Sequence, residues 1–345
     1  MKALTYHGPK DIRFEDMPDA KAVAPHAAVV RVKACGICGS DLHIYQGHGF
    51  SEDIGYCVGH EAVGEIVEIG SHVETLKVGD QVMVSAAVGC GRCQACRAGD
   101  CVRCEFNATD CYGLSHALEG CQAEAVMVPH ADHNTAKIPE GLTPDQALML
   151  TDNLPTAYLG ATNAAIKPGS TVAVIGLGPI GLMAVEIAFA LGAAKVYAAD
   201  LVPERRAHAQ RLGAIALTPG DEKAELKEFT SGRLAESVVE AVGADATLKL
   251  ALDLGGRQAT VSTIGVNQTR QFPFPMALAF NKGLTFRTSL CSVVKHWPEL
   301  IGLVRGGRLK PEQFISHRMP LSEGPAAYDM FNARRDGALK MVLTC

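Results

Sequence analysis

The sequence predicts an α/β protein in which a doubly wound parallel-sheet domain is joined to a second, mainly β domain. Three features carry that expectation. A buried strand, a glycine turn, an Ala-rich helix and a second strand follow one another from Thr171 to Asp200, the order of a βαβ unit. The first half is dominated by short Val- and Ile-rich runs alternating with polar residues, as in Ala27 to Lys33 and Ala62 to Ile69, which read as β-structure. A final strand, Lys340 to Thr344, follows the α/β region and has its expected partner in that early β-structure.

At 345 residues the chain is longer than one core usually supports, so two domains are expected, one interrupted by the other. Strand and helix alternation continues through Ser237 to Ala241, Ala244 to Leu254 and Gln258 to Ile264. The expected division is therefore 1–153 with 291–345 for the mainly β domain, carrying a cysteine lobe at about 88–106, and 154–290 for the α/β domain. A net charge of −5 speaks against a nucleic-acid surface. The opening residues hold Lys2, Lys10, Asp11, Arg13, Glu15 and Asp16 with no long apolar run, so no targeting peptide is expected. The apolar stretch Ile180 to Ala199 is broken by Glu186 and Lys195, which suits a helix packed on a sheet better than a membrane span. The expectation is a cytoplasmic protein acting on a small molecule.

Twelve cysteines in a long chain without an export signal favour metal binding over disulfides. Cys90, Cys93, Cys96 and Cys104 have the spacing C-x2-C-x2-C-x7-C, close enough to surround one tetrahedral zinc with sulfur. Such a closed site has no position for substrate and reads as structural. Cys101 is a rival for the place of Cys104; most other thiols read as small buried apolar residues. A second set, Cys38 in Gly36-Ile37-Cys38-Gly39-Ser40-Asp41-Leu42-His43 with His60-Glu61, offers a metal a vacant position once a third donor is supplied, and Thr151-Asp152-Asn153 is where that donor is expected.

Gly176-Leu177-Gly178-Pro179-Ile180-Gly181 lies between a predicted strand and a predicted helix, and Asp200 closes the next strand. This is a dinucleotide site in its required context: glycines let the backbone approach a pyrophosphate, and amides at the helix start attract it. A carboxylate at position 200 accepts from ribose hydroxyls and repels a 2′-phosphate, favouring NAD over NADP. Arg205 and Arg206 stand nearby as solvated helix charges or as phosphate ligands.

With these motifs the chain resembles the zinc-containing medium-chain alcohol dehydrogenases from its first strand to its last. The resemblance implies a Rossmann domain, a GroES-like catalytic domain and two zinc ions, one catalytic and one structural. The catalytic ion would be held by Cys38, His60 and Asp152; aspartate at the third position departs from the Cys-His-Cys form and matches the bacterial secondary-alcohol branch. By the same resemblance Ser40 and His43 form a proton relay, Glu61 ligates the metal transiently or stays beside it as a charged neighbour, and Thr156 packs against the nicotinamide. Ile264 and Val266 would extend the cofactor surface, with Arg205 at its ribose end. Ala86, Tyr112, Leu114, Leu290 and Cys291 would line a pocket for a small or medium apolar alcohol, primary or secondary, or its carbonyl partner. Polyol, threonine and formaldehyde dehydrogenation in the same superfamily stay open, as does a noncatalytic zinc- or NAD-binding protein. A homotetramer is expected by analogy, with a homodimer as the smaller alternative.

Overall fold

The computed structural model describes residues 1–106, 111–267, 269 and 271–345, and these form two compact units, Met1–Pro155 with Cys291–Cys345, and Thr156–Leu290. The chain begins with β1 (Lys2–Gly8) and β2 (Asp11–Asp16), then β3 (Ala28–Ile37), α1 (Gly39–Tyr45), β4 (Glu61–Ile69), β5 (Gln81–Val84), α2 (Gln94–Arg97), β6 (Ala125–Val128), α3 (Ala131–Asn134), β7 (Thr135–Lys137) and α4 (Pro144–Met149). After α5 (Asn153–Asn163) come β8 (Thr171–Ile175), α6 (Pro179–Ala190), β9 (Lys195–Ala199), α7 (Pro203–Arg211), β10 (Ile215–Ala216), α8 (Glu222–Phe229), β11 (Ala235–Glu240), α9 (Asp245–Leu254), β12 (Gly255–Thr263), α10 (Met276–Lys282) and β13 (Thr285–Thr288). The first unit resumes with α11 (Val293–Arg305), β14 (His317–Pro320), α12 (Gly324–Asn332) and β15 (Met341–Thr344). Among the described residues no helix is long and apolar enough to cross a membrane.

In the second unit every ladder is parallel and the strand order is β10-β9-β8-β11-β12-β13. The order reverses direction at β8, so the carboxyl ends of β8 and β11 flank a crevice of the kind that receives ligands in doubly wound sheets. The central strands are Val-rich because both faces are covered: Val172, Val174, Val238 and Val261 are at most 1% exposed. Helices α6 and α7 each begin on a proline, where the missing N–H costs nothing.

The larger sheet of the first unit runs β14-β15-β3-β4-β5-β7, with β6 also paired to β3. Register places Met341 of β15 opposite Ile37 of β3, and Gly36 of β3 opposite Glu61 of β4. Three adjacent strands therefore deliver Lys340, Ile37-Cys38 and His60-Glu61 to one end of the sheet. A core of Leu4, Val30, Ile37, Tyr56, Ile66, Val84, Tyr112 and Tyr328 packs beneath them.

Candidate active site

Cys38 sits where β3 ends and α1 begins, as the residue capping that helix. Its backbone N–H donates to Asp41 Oδ2 at 2.8 Å, so the first turn of α1 fixes the cysteine before any metal contact is considered. His60 follows Gly59, whose φ of +89° and close approach to the Gln122 side chain both require glycine. Asp152 directly precedes α5. These residues meet: ligand atoms of Cys38, His60, Glu61 and Asp152 lie within 4.8 Å of one another. Cys38 Sγ is 3.3 Å from Asp152 Oδ2, and His60 Nε2 is 3.6 Å from the same oxygen. A tetrahedral zinc with bonds of about 2.0–2.3 Å spaces its ligand atoms by roughly 3.3–3.8 Å, so the donor set fits that ion.

The electrostatics agree. Burial alone would pull the His60 imidazole down, but Asp41, Cys111 and Asp152 drive its pKa well above the ordinary value. Burial raises the Asp152 carboxyl, yet the hydrogen bond and charge of His60, with Lys340 behind them, bring it to about 2. Asp152 is thus held ionised beside His60, a carboxylate oxygen ready to act as a donor, while burial raises the Cys38 thiol. Behind His60, Asp41 Oδ1 lies 3.3 Å from Nδ1 as a buried ion-pair contact. Asp41 Oδ2 accepts from Gln122 Nε2 at 3.3 Å, and Tyr328 Oη donates to Gln122 Oε1 at 2.9 Å. This buried chain orients the imidazole with Nε2 toward the other donors.

Ser40 Oγ is 3.3 Å from His60 Nε2, and His43 lies three residues on, on the same face of α1. His43 is half-buried, and burial followed by His48 lowers its pKa, leaving a neutral imidazole near pH 7. Of the expected pocket residues, Ala86 is buried and its N–H donates to Thr151 O at 3.0 Å, one residue before Asp152. Tyr112 is fully buried in the first unit's core, Leu114 packs against that core, Leu290 is 57% exposed in the second unit, and Cys291 is intermediate in burial.

The cysteine lobe is built locally. Cys90 and Cys96 sulfurs are 3.9 Å apart, as are those of Cys93 and Cys104, and all four fall within 4.8 Å of one another. Main-chain N–H groups of Cys93 and Cys96 donate to the Cys90 and Cys93 sulfurs at 3.3 and 3.4 Å. Amides of Cys96 and Glu105 bring the Cys93 thiol down to about 6, while burial pushes the Cys96 thiol up. Cys101 is buried beside this set and outside it.

In the second unit Gly176 has φ +84°, and a Cβ on Gly181 would lie 1.7 Å from Gly176 O, so glycine alone lets α6 close onto the turn. A Cβ on Gly178 would meet nothing within 4 Å, leaving the open cradle a pyrophosphate needs. Pro179 and Ile180 open α6 there. Asp200 accepts from the N–H groups of Leu177 and Val202 at 2.6 and 2.8 Å, with Arg205 at 3.8 Å; Arg206 instead donates to Asp200 O at 2.6 Å. Ile264 and Val266 follow β12, where Ile264 N–H donates to Glu240 O at 2.9 Å and Val266 O closes on Gly243. Thr156 is partly buried on α5.

Residues 24–140 match the alcohol dehydrogenase GroES-like domain family and residues 179–306 the zinc-binding dehydrogenase family. A probable zinc-binding alcohol dehydrogenase of Mycobacterium tuberculosis is 42% identical over 99% of this chain and 88% of its own length. The chain belongs to the zinc-binding alcohol dehydrogenase family. This alcohol dehydrogenase is similar in structure to TADH, the alcohol dehydrogenase of Thermus sp. ATN1, with a TM-score of 0.93 and 38% identity over 100% of this chain and 99% of that one. An Escherichia coli alcohol dehydrogenase complexed with NADH matches with a TM-score of 0.87 and 27% identity, covering 100% and 99%. The oxidoreductase activity, the metal-binding character and the two-part α/β architecture anticipated from the motifs therefore hold.

Four residues around the Cys38 centre carry signals that motif reading passes over. Asp41 and Asn153 are polar neighbours of proposed ligands, Lys340 is a lone charge entering an apolar strand, and Cys111 carries no spacing signature at all. Burial pushes the Cys111 thiol up to about 12, with His60 and Asp152 acting on it next.

Proposed function

We propose that this alcohol dehydrogenase transfers hydride reversibly between a small or medium apolar alcohol, primary or secondary, and NAD. The observation that carries the reading is the convergence of Cys38 Sγ, His60 Nε2 and Asp152 Oδ2 at the end of β3. These three would hold the catalytic zinc, and Cys90, Cys93, Cys96 and Cys104 the structural one. When bound, zinc supplies Lewis acidity to an alcohol oxygen and NAD supplies the hydride-accepting ring.

The chain's own groups do the rest. Ser40 Oγ accepts the alcohol proton, and neutral His43, farther along the same helical face, carries it outward. Thr156 packs against the nicotinamide, the Gly176–Gly181 turn cradles the pyrophosphate, and Asp200 accepts from the adenosine ribose with Arg205 beside it. Ile264 and Val266 complete the cofactor surface. Residues 1–153 with 291–345 form the catalytic domain and 154–290 the cofactor domain. Ala86, Tyr112, Leu114, Leu290 and Cys291 are assigned to the pocket for the apolar substituent. The protein works in the cytoplasm as a homotetramer or a homodimer; association of copies is supported by the apolar, exposed Met276 and Phe280 beside β13, which is exposed along its length.

A panel of alcohols and carbonyls assayed with NAD and NADP tests the reading; no NADH formation with any alcohol would refute it. Asp200→Gly should shift the kcat/KM ratio toward NADP by about tenfold or more, measured in the same assay.

A further inference from the structure

Four donors stand within 4.8 Å of one another at the Cys38 centre, whereas a catalytic zinc takes three protein ligands and keeps one position open. Something must hold the fourth donor back. Both oxygens of Glu61 are engaged: Lys340 Nζ donates to Oε1 at 2.6 Å and to Oε2 at 2.5 Å, and Asn153 Nδ2 donates to Oε1 at 2.9 Å. Lys340 also donates to Ile37 O at 3.1 Å, and Glu61 and Lys340 are both 0% exposed. Space is reserved for the pair, since a Cβ on Gly36 would fall 2.2 Å from Glu61 Oε2 and 2.9 Å from Lys340 Nζ. On the other side, Asn153 Nδ2 reaches Asp152 Oδ2 at 2.9 Å and Cys38 Sγ at 3.6 Å, so one amide spans the retained acid and two of the assigned ligands.

We infer that Lys340 and Asn153 are positioning residues that hold Glu61 out of the metal's coordination sphere and so keep the substrate position free. The inference rests on the assignment of Cys38, His60 and Asp152 as ligands proposed above. Its physical basis is the cost of an unpaired buried charge: without the ammonium, the nearest cation left to the Glu61 carboxylate is the metal itself.

The test uses the full chain loaded with cobalt(II), titrated with imidazole as a probe of the open position and read by the visible absorption of the metal. Wild type should respond to imidazole; if it does not, the ligand assignment fails, and this inference with it. Given a wild-type response, Lys340→Met and Asn153→Leu should each weaken imidazole binding about tenfold or more and alter the cobalt spectrum, while Lys340→Arg stays near wild type. Adding Glu61→Gln to Lys340→Met should restore imidazole affinity, because no spare carboxylate remains. Unchanged imidazole affinity in folded Lys340→Met would overturn the proposal. Should circular dichroism show that variant unfolded, Asn153→Leu decides alone by the same readout.

Discussion

The two metal centres are built over very different lengths of chain. In the cysteine lobe the sulfurs belong to residues at most 14 apart, and the amides that tune them belong to the same loop. At the Cys38 centre, Cys38 and Asp152 are 114 residues apart, and Glu61 and Lys340 are 279 apart. A short loop can enclose an ion with identical donors on every side, which suits a site that only holds structure together. A site that must leave one side open needs donors of different kinds set by rigid elements, and here the ends of β3 and β4 and the start of α5 provide them, with Lys340 ahead of β15 behind Glu61. Closure is a local property of this chain and vacancy is a global one.

Removing one thiol from each centre should separate these roles most sharply. Cys38→Ser is expected to abolish turnover and lower zinc content by one equivalent while NADH binding, followed by fluorescence, stays near wild type; retained activity in a metal-quantified sample would break the comparison. Cys104→Ser should act on stability first, lowering Tm by roughly 5 °C or more as the structural metal is lost. Equal heat resistance in a preparation lacking that zinc would contradict it. A smaller effect is expected from Asp41→Asn, which weakens the carboxylate behind His60 and should reduce metal affinity at the Cys38 centre by about 10–100-fold in a chelator competition, leaving the lobe untouched. Smallest of all is Cys101→Ser: both ions should remain bound by metal analysis and Tm should hold to within about 1 °C. Loss of the lobe ion there would instead make Cys101 a ligand.

The same contrast explains how much the sequence revealed. The lobe is legible because C-x2-C-x2-C is itself the geometry, and the glycine turn is legible because strand, turn, helix and acid lie in one stretch of chain. Strands Thr171–Ile175 and Lys195–Ala199 fall at the two ends of the βαβ stretch read from Thr171 to Asp200, because an uninterrupted buried β-run has little freedom to form anything else. Lys340 escaped because its importance depends on register between strands distant in sequence, and Asp41 and Asn153 because their partners His60 and Glu61 come from another part of the chain. A lysine beginning Lys340-Met341-Val342-Leu343 has no local reason to be buried, and only pairing of β15 with β3 supplies one. Tyr112 shows the reverse limit: its full enclosure in the first unit's core is set by side-chain volume among residues remote in sequence, which no local pattern announces.

The 279-residue separation of Glu61 and Lys340 also sets an order of events when the polypeptide folds. Contacts that close short loops form early, and those joining remote strands wait for most of the chain to be organised. The lobe can therefore capture its ion while the other centre is still unformed, so a refolding enzyme should take up its first equivalent of zinc well before it regains any ability to oxidise an alcohol.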